Sequence, residues 1–87
     1  MEQEATVNVL FFGQLAEPFG RTREVGIPAQ GCSVGDLRRR LIGSEDHLAA
    51  AMARPGIRAA IDQQMVGDEA RVEPGQEIAF FSPVSGG

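Results

Sequence analysis

Residues 77–87 read Glu77-Ile78-Ala79-Phe80-Phe81-Ser82-Pro83-Val84-Ser85-Gly86-Gly87. In the first five, Ile78 and Phe80 fall on one side and Ala79 and Phe81 on the other, the alternation of a strand with one side to the core. The strand runs straight into a short segment, residues 83–87, expected to be a flexible tail closing on two glycines. Glycine has no Cβ, so Gly86 and Gly87 can pass through a channel too narrow for other residues and carry a carboxylate into a partner's active site. Nothing follows Gly87 that would first have to be cut away, so that carboxylate is expected to be free.

Working outward, Thr6-Val7-Asn8-Val9-Leu10-Phe11-Phe12 alternates in the same way and stops at Gly13. With Val7, Val9, Phe11, Ile78 and Phe80 lining the core, Leu10, Phe12, Ala79 and Phe81 must point to the opposite side of the sheet. No helix remains to cover that side, and two phenylalanines and a leucine on one uncovered face point to a partner-binding patch beside the tail. The competing reading is that one of these strands is buried on both faces.

Between the two strands, Leu15 to Gly20 reads as a turn or single helical turn, and Glu24-Val25-Gly26-Ile27 as a weaker strand closed by Pro28. Ser33 with Asp36 three residues on predicts a capped helix whose Val34, Leu37, Leu41 and Ile42 form one stripe, stopped by Gly43. Ser44 is expected to cap a second helical stretch through Leu48 and Met52 to Arg54, ahead of Pro55-Gly56. Ile57 to Gln63 predicts a third strand around Ile57, Ala59 and Ile61, with Met65-Val66 continuing it past a turn. Glu73-Pro74-Gly75-Gln76 has proline and glycine where a type II turn needs them. These elements predict an α+β domain, with helices packed on one face of a mixed sheet.

The 87 residues suffice for one domain, which buries roughly 60% of its unfolded surface and so holds one modest core without a large cleft. Residues 1–5 are expected to be a flexible lead-in, 6–82 the domain and 83–87 the tail. The acidic start and the absence of a long apolar run predict a cytoplasmic chain without membrane contact. A net charge of −4 argues against nucleic acid, whose phosphates need clustered cations. Arg38-Arg39-Arg40 is the one basic cluster, read either as a solvated helix face or as a contact for an acidic partner surface.

Cys32 is the single cysteine, which excludes an internal disulfide and a CxxC pair. Two readings compete for it: a thiol whose pKa is lowered near a helix start, or a small loop residue. All eight basic residues are arginine, which excludes P-loop and Schiff-base lysines. It also leaves no internal ε-amine for an activated C-terminus to acylate, although arginine-rich codon usage explains the same absence. His47 is the only imidazole, expected on a helix surface, and no triad, metal or phosphate-loop constellation can be assembled around it. No metal or bound cofactor is expected, and any reaction must use the chain's own terminus or a partner's active site.

Three segments together resemble a known family: Val9-Leu10-Phe11-Phe12, Ser33-Val34-Gly35-Asp36-Leu37-Arg38, and Gly75 through Gly87. They resemble the small subunit of molybdopterin synthase, the MoaD type of sulfur-carrier protein, over about Thr6 to Gly87. The C-terminal Phe-Phe-x-Pro-Val-x-Gly-Gly finish is the most specific part. The resemblance implies a β-grasp, ubiquitin-like fold of about five strands with the first and last parallel and adjacent at the centre, merging Leu10, Phe12, Ala79 and Phe81 into one patch. It adds Met65 to that patch, and names the large synthase subunit and an adenylating, sulfurating activating enzyme as partners.

The chemistry so implied is ATP-dependent adenylation of Gly87 by the activating enzyme, then conversion to a thiocarboxylate. Pro83, Val84, Ser85 and Gly86 thread the tail into the large subunit, where the sulfur passes to cyclic pyranopterin monophosphate to build the molybdopterin dithiolene. A heterotetramer of two small and two large subunits is expected, with the catalytic pocket on the large one. Asp62 stands where the family usually has asparagine, and Ser82 where it often has a second proline, which is expected to loosen the tail slightly. Two rival functions remain: a sulfur carrier for thiamine or cysteine biosynthesis, and a ubiquitin-like protein modifier.

Overall fold

A computed structural model describes residues 4–43, 45–53 and 56–82. Strand β1 (Glu4–Phe11) leads through a 3₁₀ turn (Gly13–Leu15) and a single-turn helix α1 (Ala16–Phe19) into β2 (Thr22–Pro28). A short β3 (Cys32–Ser33) precedes helices α2 (Val34–Ile42) and α3 (Asp46–Met52), followed by β4 (Arg58–Ile61), β5 (Gln64–Val66), β6 (Arg71–Val72) and β7 (Glu77–Phe81). The main sheet has the order β2-β1-β7-β4-β5, with β1 and β7 parallel and the other neighbours antiparallel. Two terminal strands paired at the centre, β1 flanked by its hairpin partner β2 and β7 by the β4–β5 hairpin, with helices on one side, make a ubiquitin-like β-grasp, as the resemblance implies.

The alternation predicted for β1 and β7 holds residue by residue. Val7, Val9, Phe11, Ile78 and Phe80 are buried, together with Val34, Leu37 and Leu41 of α2 and Leu48 and Met52 of α3. Phe11 stacks on Phe19 at 4.6 Å between ring centroids and on Phe80 at 6.2 Å, so the single turn of α1 closes one end of the core. Arg38 of α2 lies 5.1 Å over the Phe80 ring, its long stem covering the core edge while its head reaches Asp68.

Helix α2 starts where the sequence places it: Ser33 accepts a hydrogen bond from the Asp36 N–H at 3.0 Å. The N–H groups of Val34 and Gly35 donate to the carbonyls of Ala70 and Asp68, so the first turn leaves few orphan donors. Gly75 has φ +85 and Gln76 N–H donates to the Glu73 carbonyl, giving the predicted turn.

Four expectations change. The first strand begins at Glu4, inside the expected lead-in, rather than at Thr6. The third strand ends at Ile61, because Asp62 and Gln63 both take positive φ (49° and 74°) and form a two-residue hairpin turn. Asp62 is held there by donating its N–H to the Glu77 carbonyl at 3.0 Å and by receiving the Glu77 N–H and the Gln76 side chain. Helix α3 begins at Asp46 with Glu45 as its cap residue, which makes no side-chain cap bond; Ser44 and Arg54 lie outside the described residues. Cys32 is not in a loop but in β3, which pairs with β6 in a small second sheet that periodicity could not reveal, since both strands have two residues.

This second sheet depends on Gly31. Its φ is +91°, and a Cβ there would stand 2.5 Å from the Val72 carbonyl oxygen. Gly31→Ala is therefore expected to destabilise the fold by about 1–3 kcal/mol, and Ser33→Ala by about 1 kcal/mol through the lost cap. Urea unfolding of both variants checks this; a Gly31→Ala midpoint equal to wild type would show that β3 and β6 do not constrain the domain.

Candidate functional site

The side of the main sheet away from the helices is built from register. Leu10 pairs with Ala79, Ala79 with Ala60, and Ala60 with Met65, giving one apolar row across four strands. Thr22 extends it beyond Leu10 on β2. Phe81 lies opposite Arg58 one step nearer the chain end, and Phe12 continues β1 in extended conformation past its last ladder residue. Leu10, Ala79 and Phe81 are half-buried, whereas Phe12 and Met65 keep 53% and 60% of their surface exposed. The structure thus brings Leu10, Phe12, Met65, Ala79 and Phe81 onto one face.

Two residues of this face escaped the sequence reading. Ala60 fills the row between Ala79 and Met65, and Arg58 borders it next to Phe81. The signal was present, since an inward Ile57, Ala59 and Ile61 leaves Arg58 and Ala60 outward.

The root of the tail is fixed beside this face. The Phe12 N–H donates to the Phe80 carbonyl at 3.1 Å, which extends the β1–β7 contact beyond the strands. A Cβ on Gly13 would meet the Ser82 carbonyl at 3.8 Å, so the last described residue lies against the end of β1. A groove of about 420 Å³ opens at the same end, lined among others by Leu10, Phe12, Gly13, Ala16 and Arg21. Pro83, Val84, Ser85, Gly86 and Gly87 lie outside the described residues.

Residues 9–87 match the ThiS family, nearly the whole chain. The chain belongs to that family. It is 35% identical over 81 residues to the molybdopterin synthase sulfur carrier subunit of Escherichia coli (strain K12), covering 93% of this chain and 99% of that protein. The subunit of the same name from Haemophilus influenzae matches at the same identity and extent. Among solved structures, SAMP1 from Haloferax volcanii superposes with a TM-score of 0.80 at 27% identity, covering 94% of this chain and 99% of that one.

The titratable groups whose environment shifts them lie away from the open face. Arg39, hydrogen-bonded to Asp36 at the start of α2, holds that carboxyl below the ordinary carboxylate value. Among the described residues no polar or charged side chain is buried, and no three His, Cys, Asp or Glu side chains converge to hold a metal ion. His47 is exposed on α3, as the sequence suggests.

Cys32, which lies in β3 rather than a loop, departs from its other reading as well. Burial pushes the thiol above its ordinary value of 9.0, and the opposing pull of Arg40 and Arg71 is smaller, so the thiolate is suppressed rather than favoured. With the folded value raised, the buried thiol contributes stability below its ordinary value and loses it as pH climbs through the folded one. Iodoacetamide at neutral pH is expected to label Cys32 slowly in the native protein and rapidly in urea; fast native labelling would contradict the burial.

Proposed function

We propose that this chain is the sulfur-carrying small subunit of a cytoplasmic molybdopterin synthase, and that the Gly87 carboxylate is its only reactive group. The reading rests on one adjacency: an uncovered apolar row ends where the Gly-Gly segment leaves the sheet. Near-full-length relatives named as molybdopterin synthase sulfur carrier subunits support it. A rigid, strand-borne row docks the domain, and the residues after Ser82 then reach a site that the domain itself does not contain.

In this mechanism an activating enzyme joins the Gly87 carboxylate to AMP from ATP, releasing pyrophosphate. A persulfide sulfur of the donor attacks the acyl-adenylate carbonyl and AMP leaves. A second thiol then cleaves the resulting S–S bond, leaving a terminal thiocarboxylate and an oxidised donor. The thiocarboxylate sulfur is soft and ionised at neutral pH, which makes it a nucleophile that a carboxylate oxygen is not. Pro83, Val84, Ser85 and Gly86 thread it into the large subunit, where two deliveries to cyclic pyranopterin monophosphate build the dithiolene. Both partners use the same row, and two small and two large subunits form the working assembly.

A second reading is favoured by the likeness to SAMP1, an archaeal modifier protein by name. In it Gly87 ends in isopeptide bonds to target lysines. A sulfur carrier for thiamine or cysteine synthesis would share the Gly87 activation but not the acceptor. Incubating thiocarboxylated protein with the large synthase subunit and the pyranopterin precursor separates these readings. Molybdopterin formation is expected; a thiocarboxylate that yields none, or Gly87 recovered on many cellular proteins, would overturn the proposal.

Deleting Gly87 is expected to abolish sulfur transfer while the urea midpoint stays within about 0.5 kcal/mol of wild type. Phe81→Ala, which trims an aromatic at the tail end of the row, is expected to weaken large-subunit binding by about 1–3 kcal/mol. Calorimetric titration checks the second; an unchanged affinity would remove Phe81 from the interface.

A further inference from the structure

The open face is charged unevenly along its strands. Behind the apolar row, on the side remote from the tail, the register sets Glu24 beside Asn8 and Asn8 beside Glu77. Asp62 adjoins Glu77 through the hydrogen bonds of the β4–β5 turn. Three carboxylates therefore span the sheet at one end of the face, Glu24 and Glu77 about 10 Å apart across two strand spacings. At the tail end stands Arg58, opposite Phe81.

Among the described residues no ion pair neutralises these charges. The ion pairs among the described residues are Arg38–Asp68, Arg39–Asp36, His47–Glu45 and Arg71–Glu73, and none involves the open face. Glu24 receives only a 3.5 Å hydrogen bond from Thr6. The arginines of α2 bond within their own domain, Arg38 to Asp68, Arg39 to Asp36 and Arg40 to the Gly26 carbonyl, while the sheet face presents an apolar centre with a negative end and a positive end.

We propose that this charge separation orients docking: the partner surface that covers the apolar row carries cationic side chains facing Glu24, Glu77 and Asp62, and an anionic one facing Arg58. The inference rests on the sulfur-carrier reading and names the chemistry of its partner surface. An apolar row running across four strands fixes which face is buried but says little about which end of the strands points where. Separated charges decide that, because a domain docked in reverse would bring like charges together. The end carrying the tail is thereby aimed at the partner's active site during the encounter. A second copy of this chain fits poorly as the occupant of the carboxylate end, because the described cations at the tail end of its own face, Arg58 and the groove-lining Arg21, are fewer than the three carboxylates.

The test is the association rate with the recombinant large synthase subunit, by stopped flow over a range of sodium chloride concentrations. Wild type is expected to bind faster as salt falls. The Glu24→Lys/Glu77→Lys double variant is expected to associate about tenfold or more slowly at low salt with a flattened salt dependence. Glu24→Gln/Glu77→Gln should fall between, with dissociation rates little changed, and circular dichroism confirms that these surface variants fold. An association rate within twofold of wild type for the charge-reversed protein, while Phe81→Ala still weakens binding, would overturn the oriented docking and leave the sulfur-carrier reading standing. No binding of wild type to the large subunit at any salt would overturn that reading, and this inference with it.

Discussion

The parallel pairing of β1 with β7 is the constraint on which the rest of this domain depends. It sets the first and last strands side by side at the centre of the sheet, with β2 added outside β1 and the β4–β5 hairpin outside β7. Because the two strands run the same way in register, Val9 beside Ile78 and Phe11 beside Phe80 stack the core on one side. The same register sets Leu10 beside Ala79 on the other. One set of backbone hydrogen bonds thus aligns the core and the outward apolar row together, and a slip of one residue would exchange them.

That shared register explains which parts were readable from the sequence. The α+β class, the inward residues of β1 and β7, the Ser33 cap and the turn at Gly75 follow from alternation and from local turn chemistry, both written in neighbouring residues, whereas the parallel β1–β7 pairing came only through the family resemblance. The small sheet of Cys32–Ser33 with Arg71–Val72 was not legible, because two-residue strands have no period and their pairing spans a long stretch of chain. The hairpin turn at Asp62-Gln63 was hidden for a different reason. Neither residue is glycine, so the positive φ is imposed by the bonds Asp62 makes to Glu77 rather than announced by composition.

The candidate site was legible in the same uneven way. Leu10, Phe12, Ala79 and Phe81 came from alternation alone, whereas Met65 came only through the family resemblance, since three residues of β5 cannot show which side they face. Ala60 and Arg58 were implied by the inward Ile57, Ala59 and Ile61 but carry too little apolar surface to attract attention. The carboxylate row was invisible until register set Glu24, Asn8 and Glu77 side by side, residues that lie far apart in the chain.

The position of Ser82 also alters how its chemistry is weighed. Counted by composition, a serine in place of a proline leaves more backbone freedom to be lost when the tail docks. In the fold, Ser82 is half-buried and its carbonyl lies against Gly13, one residue past the Phe12 to Phe80 hydrogen bond. Part of that freedom is therefore already removed by the domain, and the cost of the missing ring falls on fewer dihedrals than the sequence implies. The same contact fixes Ser82, the last described residue, at the end of β7 beside the apolar row.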